Sequence, residues 1–178
     1  EMFCPAGKPE AGRVLYVGRL VEEKNVLRLE EAVAGIFGAH LRCIGEGPFR
    51  WALSHGTRGA DCPGPIPWER LPEEYRAARC FVLPSLTEGH PKALLEAMGC
   101  GVPVAVSDRV EGVVRHEETG LVFGAEDVAG MRKQITRLLE DDDLAAELGT
   151  AARREALARW DAKVLMPEEV DIVRGAAK

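Results

Sequence analysis

Between Arg13 and Phe123, short apolar runs of strand length alternate with stretches of helix length, and that alternation constrains the fold more than any other feature of the chain. Arg13–Val17 reads as a buried strand, followed by Gly18 and a helix over Asn25–Ile36. Leu41–Ile44 is a second strand, ending at Gly45 before a short helix at Pro48–Leu53. Ser54–Pro67 is dense in Gly and Pro and reads as loop, with a short strand near Ala60–Cys62. A helix over Leu71–Ala78 leads to strand Cys80–Leu83. Pro91 suits a first helical position, so a helix over Pro91–Met98 is expected, stopped by Gly99 and Gly101. Strands Pro103–Val106 and Leu121–Phe123 follow, then helices Asp127–Leu139 and Asp143–Trp160 and a final piece after Pro167. Short apolar strands joined by helices make βαβ units, and hence a parallel sheet with helices on both faces. The fold class expected is α/β, doubly wound. At 178 residues one domain is expected, with the Pro- and Gly-rich residues 1–12 as a linker remnant and 164–178 as a C-terminal helix.

Composition narrows the function classes. Apolar residues are 46% and charged residues 29%, a globular balance. No apolar run approaches the roughly 20 residues of a membrane span, and the start does not resemble a signal peptide. A net charge of −6 argues against a broad nucleic-acid-binding face. Arg132-Lys133 and Arg153-Arg154 sit among acids and read as solvated helix faces. The five cysteines are odd in number and scattered, with no C-x-x-C pair, so neither a disulfide framework nor a zinc site is encoded. Cys43 and Cys80 read as small core residues, and a reducing, cytoplasmic setting is expected.

In doubly wound sheets ligands lie beyond the carboxyl ends of the strands. After the first strand, Arg19 and Lys24 have the charge to converge on an anion; the plainer alternative is two solvated cations, with Lys24 paired to Glu22 or Glu23. Gly45-Glu46-Gly47-Pro48-Phe49-Arg50 imitates a dinucleotide fingerprint, but Arg50 stands where the third glycine belongs. After the fourth strand, Gly89 lets backbone approach a ligand, and the helix beginning at Pro91 offers free amides and a positive dipole end to phosphate. Glu88 precedes that helix and Glu96 lies within it. Two carboxylates so placed suit a ligand with hydroxyls at both ends and phosphates between. Taken singly, Glu96 also fits an i,i+4 pair with Lys92 on an exposed face, and Glu88 a helix-dipole partner.

The order of these segments resembles the C-terminal, donor-binding domain of a family 4, or group 1, glycosyltransferase, built from two Rossmann-like halves in the GT-B architecture. The resemblance rests on Val17-Gly18-Arg19-Leu20 with Glu23-Lys24-Asn25, Ile44-Gly45-Glu46-Gly47-Pro48, Leu83-Pro84-Ser85, Glu88 through Met98, Gly101-Val102-Pro103-Val104, Ser107-Asp108 and Glu118 through Val122. It implies that Arg19 and Lys24 bind a donor diphosphate, with backbone of Gly89, His90 and Lys92 approaching sugar and phosphate. Glu88, first of the E-x7-E pair, would lie by the transferred sugar as the catalytic residue, and Glu96 would bind the ribose. The base pocket would fall near Gly64, Pro65 and Ile66, after the third strand. The family's activity is a retaining, metal-independent transfer from a nucleoside-diphosphate sugar to a glycan or lipid-linked acceptor, with no cofactor. Membrane association, on this reading, would come through the missing half or a lipid-linked acceptor.

The sequence departs from that pattern after Ser107-Asp108, where Arg109-Val110-Glu111 replaces a Gly-Gly loop, and the acceptor-binding N-terminal half is absent. The sequence leaves two rivals: a non-catalytic nucleotide-sugar-binding module, and half of a GT-B-type epimerase. Asp141-Asp142-Asp143 has the spacing of a metal-binding D-x-D but sits where acids cap a helix. Trp51, Trp68 and Trp160 read as packing residues.

Overall fold

The computed structural model describes residues 3, 7, 9–56, 59–89 and 91–160. Strands β1 (Arg13–Val17), β2 (His40–Ile44), β3 (Asp61–Gly64), β4 (Cys80–Leu83), β5 (Val104–Ser107) and β6 (Leu121–Phe123) form one sheet in the order β3-β2-β1-β4-β5-β6. Every pairing is parallel. The fold is Rossmann-like, as the alternation requires. Helices α1 (Val26–Ala34), α2 (Arg50–Ser54), α3 (Leu71–Ala77), α4 (Lys92–Gly99), α5 (Val128–Glu140) and α6 (Asp142–Trp160) make the connections and the cover. Helix α1 packs on α5, whereas α4 packs on α3 and α6. β4 and β5 are buried along their whole length, as strands covered on both faces must be.

The chain runs outward from β1 to β3, then returns to lay β4 against the other side of β1. The order therefore reverses between β1 and β4, and the loops leaving those two strands diverge around a crevice. Gly45 and Gly47, rather than forming a dinucleotide turn, let the β2 loop press on the β1 loop. A Cβ on Gly45 (φ 145°) would stand 1.9 Å from the Gly18 carbonyl oxygen, and one on Gly47 (φ 155°) 2.3 Å from that of Leu20. Arg50, in the third-glycine position, donates to the Cys62 and Pro63 carbonyls and ties this loop to β3.

Several boundaries differ from those the sequence suggests. Pro91 caps α4 from outside with ψ 63° instead of opening it, and Gly99 belongs to the helix. The third strand extends to Gly64, so that residue ends β3 instead of following it. Arg132 and Arg153 are not simply solvated: Arg132 donates to the Glu31 and Ala32 carbonyls at the end of α1, and Arg153 to those of Phe3 and Gly99. A guanidinium there satisfies carbonyls that a helix end leaves without partners. Asp141 caps α6 by accepting from the Leu144 amide, as the helix-boundary reading of the acids required. Trp160 packs on the core, but Trp51 and Trp68 are exposed, Trp51 stacking on His55. The expected C-terminal helix after residue 163 lies outside the described residues.

Candidate functional site

The crevice between the β1 and β4 loops is built around Asn25. Asparagine tolerates the left-handed conformation needed to turn a 3-10 segment (Glu22–Lys24) into α1, and Asn25 has φ 57°. Its buried side-chain amide donates to the Pro84 carbonyl (3.2 Å) and the Ala125 carbonyl (2.7 Å), joining the loops after β1, β4 and β6. The Leu86 amide adds a backbone bond to Glu23 (2.8 Å). With the loops so fixed, Lys24 projects at Glu88: Nζ lies 2.6 Å from Oε2, and Ser85 Oγ donates to the same oxygen at 3.2 Å. The Glu88 side chain is 9% exposed.

These two side chains line a cavity of about 160 Å³, together with Tyr16, Gly18 and the first turn of α4, Lys92–Leu94. The first amides of a helix have no intrahelical acceptor, and α4 carries no side-chain cap. Its positive end therefore opens into the cavity beside a lysine, an arrangement suited to an anion of phosphate type. Tyr16 closes the floor; its hydroxyl donates to the Arg19 carbonyl (2.8 Å), and burial pushes its pKa far above the usual phenol range.

The residues singled out from sequence divide into three groups. Lys24, Glu88 and Lys92 meet at the cavity. Lys24 is paired with Glu88 and not with Glu22 or Glu23. Arg19 stands at the tip of β1, exposed, outside the cavity wall and with no side-chain partner among the described residues. Gly89 is exposed with open space around it; His90 lies outside the described residues. Glu96 is not the exposed i,i+4 partner of Lys92. Their contact is a loose 3.9 Å, and the Glu96 side chain is 11% exposed. Its Oε2 accepts from Tyr75 Oη (2.9 Å) and its Oε1 from Trp68 Nε1 (3.3 Å). Gly64, Pro65 and Ile66 line no part of the cavity. Gly64 is buried against the Arg50 guanidinium, Pro65 is exposed and Ile66 packs on the core.

Sequence reasoning missed Asn25, Ser85 and Tyr75, and took Trp68 only as packing. For Asn25 a signal existed, an Asn at the mouth of a helix. Tyr75 and Trp68 gain their significance only from the approach of α3 to α4.

The sequence profile for glycosyl transferases group 1 matches residues 11–141. Sulfoquinovosyl transferase SQD2 of Arabidopsis thaliana is 31% identical over 157 residues, covering 84% of this chain and 31% of the relative. Sucrose-phosphate synthase from Thermosynechococcus elongatus superposes with a TM-score of 0.88 at 28% identity, over 99% of this chain and 51% of that one. Anabaena HepE in complex with UDP-glucose has the same fold, with a TM-score of 0.82 at 19% identity, over 93% of this chain and 49% of its own. The chain thus spans about a third of the curated relative's length and about half of each of these two structures.

Proposed function

As the chain belongs to the group 1 glycosyltransferases, we propose that it binds the nucleoside-diphosphate sugar donor of a retaining, metal-independent transfer to a glycan or lipid-linked acceptor. The observation that carries this reading is the cavity in which Lys24, Glu88 and the open amide end of α4 come together at the point where the strand order reverses. The diphosphate lies over the α4 amides, held by Lys24 from one side and by Arg19 folding in from the β1 tip. The amides of Gly89 and Lys92 approach it from the α4 side. Glu88 faces the sugar, Glu96 takes the ribose hydroxyls, and the base extends toward Gly64, Pro65 and Ile66.

In the transfer the anomeric carbon exchanges its bond to a diphosphate oxygen for one to the acceptor oxygen, whose proton leaves with the diphosphate. Negative charge then grows on the departing diphosphate, where Lys24 and the α4 dipole already stand and Arg19 folds in, which is the arrangement that lowers such a barrier. The acceptor is presented by a second Rossmann-like half outside these 178 residues.

A thermal-shift panel of UDP-, GDP- and ADP-sugars tests the reading, because a ligand that binds only the folded chain raises its melting temperature. UDP-glucose is the first to try, given its presence in the Anabaena structure. One nucleotide series is expected to raise the midpoint, the diphosphates more than the bare nucleoside. No shift with any of them would refute donor binding.

A further inference from the structure

We propose that Tyr75 and Trp68 are positioning residues: they hold the Glu96 carboxylate by one neutral hydrogen bond to each oxygen, leaving one acceptor site on each oxygen for a vicinal diol, so that the chain selects ribonucleoside over 2′-deoxyribonucleoside diphosphates. This rests on the ribose role of Glu96 proposed above and adds what makes that role selective.

The geometry is specific. Tyr75 Oη donates to Oε2 at 2.9 Å and Trp68 Nε1 to Oε1 at 3.3 Å. A carboxylate has about four acceptor sites, two on each oxygen, so each oxygen keeps one free. Both donors are neutral. Among the described residues the cation paired with Glu96, Lys92, stands 3.9 Å off on a side chain that is 72% exposed. Neither donor brings a countercharge, and together they fix the orientation of the carboxylate. Tyr75 is itself immobilised: it is fully buried, with Phe3 and Phe81 packed at ring separations of 6.0 and 5.9 Å. Burial and the adjoining carboxylate push its pKa far upward, so it remains a donor at every working pH. Trp68 is held from one side by Phe3 at 5.7 Å.

Two opposing effects follow if the Tyr75 hydroxyl is removed. The carboxylate loses its orientation, which weakens diol binding; it also gains a free acceptor site, which would strengthen binding if Tyr75 merely competed with the ribose. The proposal requires the first to win.

The test is calorimetry on the 178-residue chain with UDP and 2′-deoxy-UDP, with GDP, ADP and their 2′-deoxy forms run alongside. The unaltered chain is expected to bind the ribonucleotide about tenfold more tightly, as one charge-assisted hydrogen bond allows. Tyr75→Phe, which keeps the ring, is expected to bring that ratio close to one by weakening the ribonucleotide alone, and Trp68→Phe to lower it part of the way. A folded Tyr75→Phe chain with an unchanged ratio, or with tighter ribonucleotide binding, would overturn the proposal. Glu96→Gln separates the two layers. Should it abolish the ratio while Tyr75→Phe does not, the positioning role fails and the ribose role stands. Should it leave the ratio intact, both fail. If Tyr75→Phe lowers the melting temperature too far for titration, the exposed Trp68→Phe decides by the same criterion.

Discussion

Glu88→Gln is expected to tighten the binding of free nucleoside diphosphate while abolishing most sugar transfer. The reasoning starts from the 2.6 Å contact between Lys24 Nζ and Glu88 Oε2 in a pocket where the two side chains are 16% and 9% exposed. A phosphate oxygen that bonds the same ammonium group comes to rest about 4–5 Å from the carboxylate, the separation of two acceptors on one tetrahedral nitrogen. Two unit charges at about 4 Å repel by roughly 4 kcal/mol at an effective dielectric of 20. Solvent and counter-ions in an open pocket reduce that, so about 1.5–3 kcal/mol is a fair expectation, or roughly ten- to hundredfold in affinity. The amide of Gln keeps the shape and still accepts a hydrogen bond from Lys24.

Calorimetry with a nucleoside diphosphate, at low and at high salt, reads the effect, and the gain should shrink as salt rises. Transfer in the intact parent enzyme should fall at the same time, because on the proposed reading the carboxylate facing the sugar is lost. Diphosphate binding weakened by Glu88→Gln as much as by Lys24→Ala would refute the reasoning, since Glu88 would then be holding the ligand and not repelling it.

Arg19→Ala should weaken diphosphate binding about ten- to hundredfold and the bare nucleoside hardly at all, with no loss of melting temperature, because Arg19 is exposed; equal losses for the two ligands would contradict it. Asn25→Ala removes two hydrogen bonds to buried carbonyls and strains a left-handed residue, so urea unfolding should show a loss of about 2–4 kcal/mol. Cys62, whose pKa is brought down to about 7 chiefly by the adjoining Cys43 thiol, should be alkylated by iodoacetamide at a rate that rises through pH 7. Cys80, pushed up to about 12 by burial, should stay unmodified in the same mass-spectrometric assay. On the proposed reading the 178-residue chain should bind donor yet transfer no sugar, because orientation of an acceptor, worth roughly 7–11 kcal/mol of barrier, would come from a second half; turnover equal to that of the intact parent would contradict this.

The strands were legible because burial on both faces leaves a plain mark. Val14, Leu15, Cys43, Phe81, Val82 and Val106 are apolar in the sequence and inside in the structure. Helix ends were less so. Whether Pro91 opens α4 or stands before it depends on one ψ angle, and Gly99 continues the helix because its backbone still bonds within it. The cavity was half legible. Lys24 and Glu88 are 64 positions apart, and only the reversal of strand order beside β1 makes them neighbours. The pairing of Lys24 with the nearer Glu22 or Glu23 is the local answer, and it loses because Asn25 turns the chain into α1 and aims Lys24 across the crevice.

The two carboxylates of the E-x7-E pair look alike in sequence and are opposites in environment, and that difference separates their tasks. Glu88 is nearly buried beside the proposed diphosphate cavity, where a lone negative charge would cost desolvation energy and repel the ligand. Lys24 offsets both until a phosphate competes for the same ammonium group, so on the proposed reading donor binding would release Glu88 toward the sugar. Glu96 lies in the second turn of α4, outside the cavity lining, and is held by two neutral donors, with Lys92 a loose 3.9 Å away. A carboxylate paired with a lysine changes partner when an anion arrives. One fixed by a phenol and an indole keeps its place, and that constancy is what recognition of a rigid diol requires.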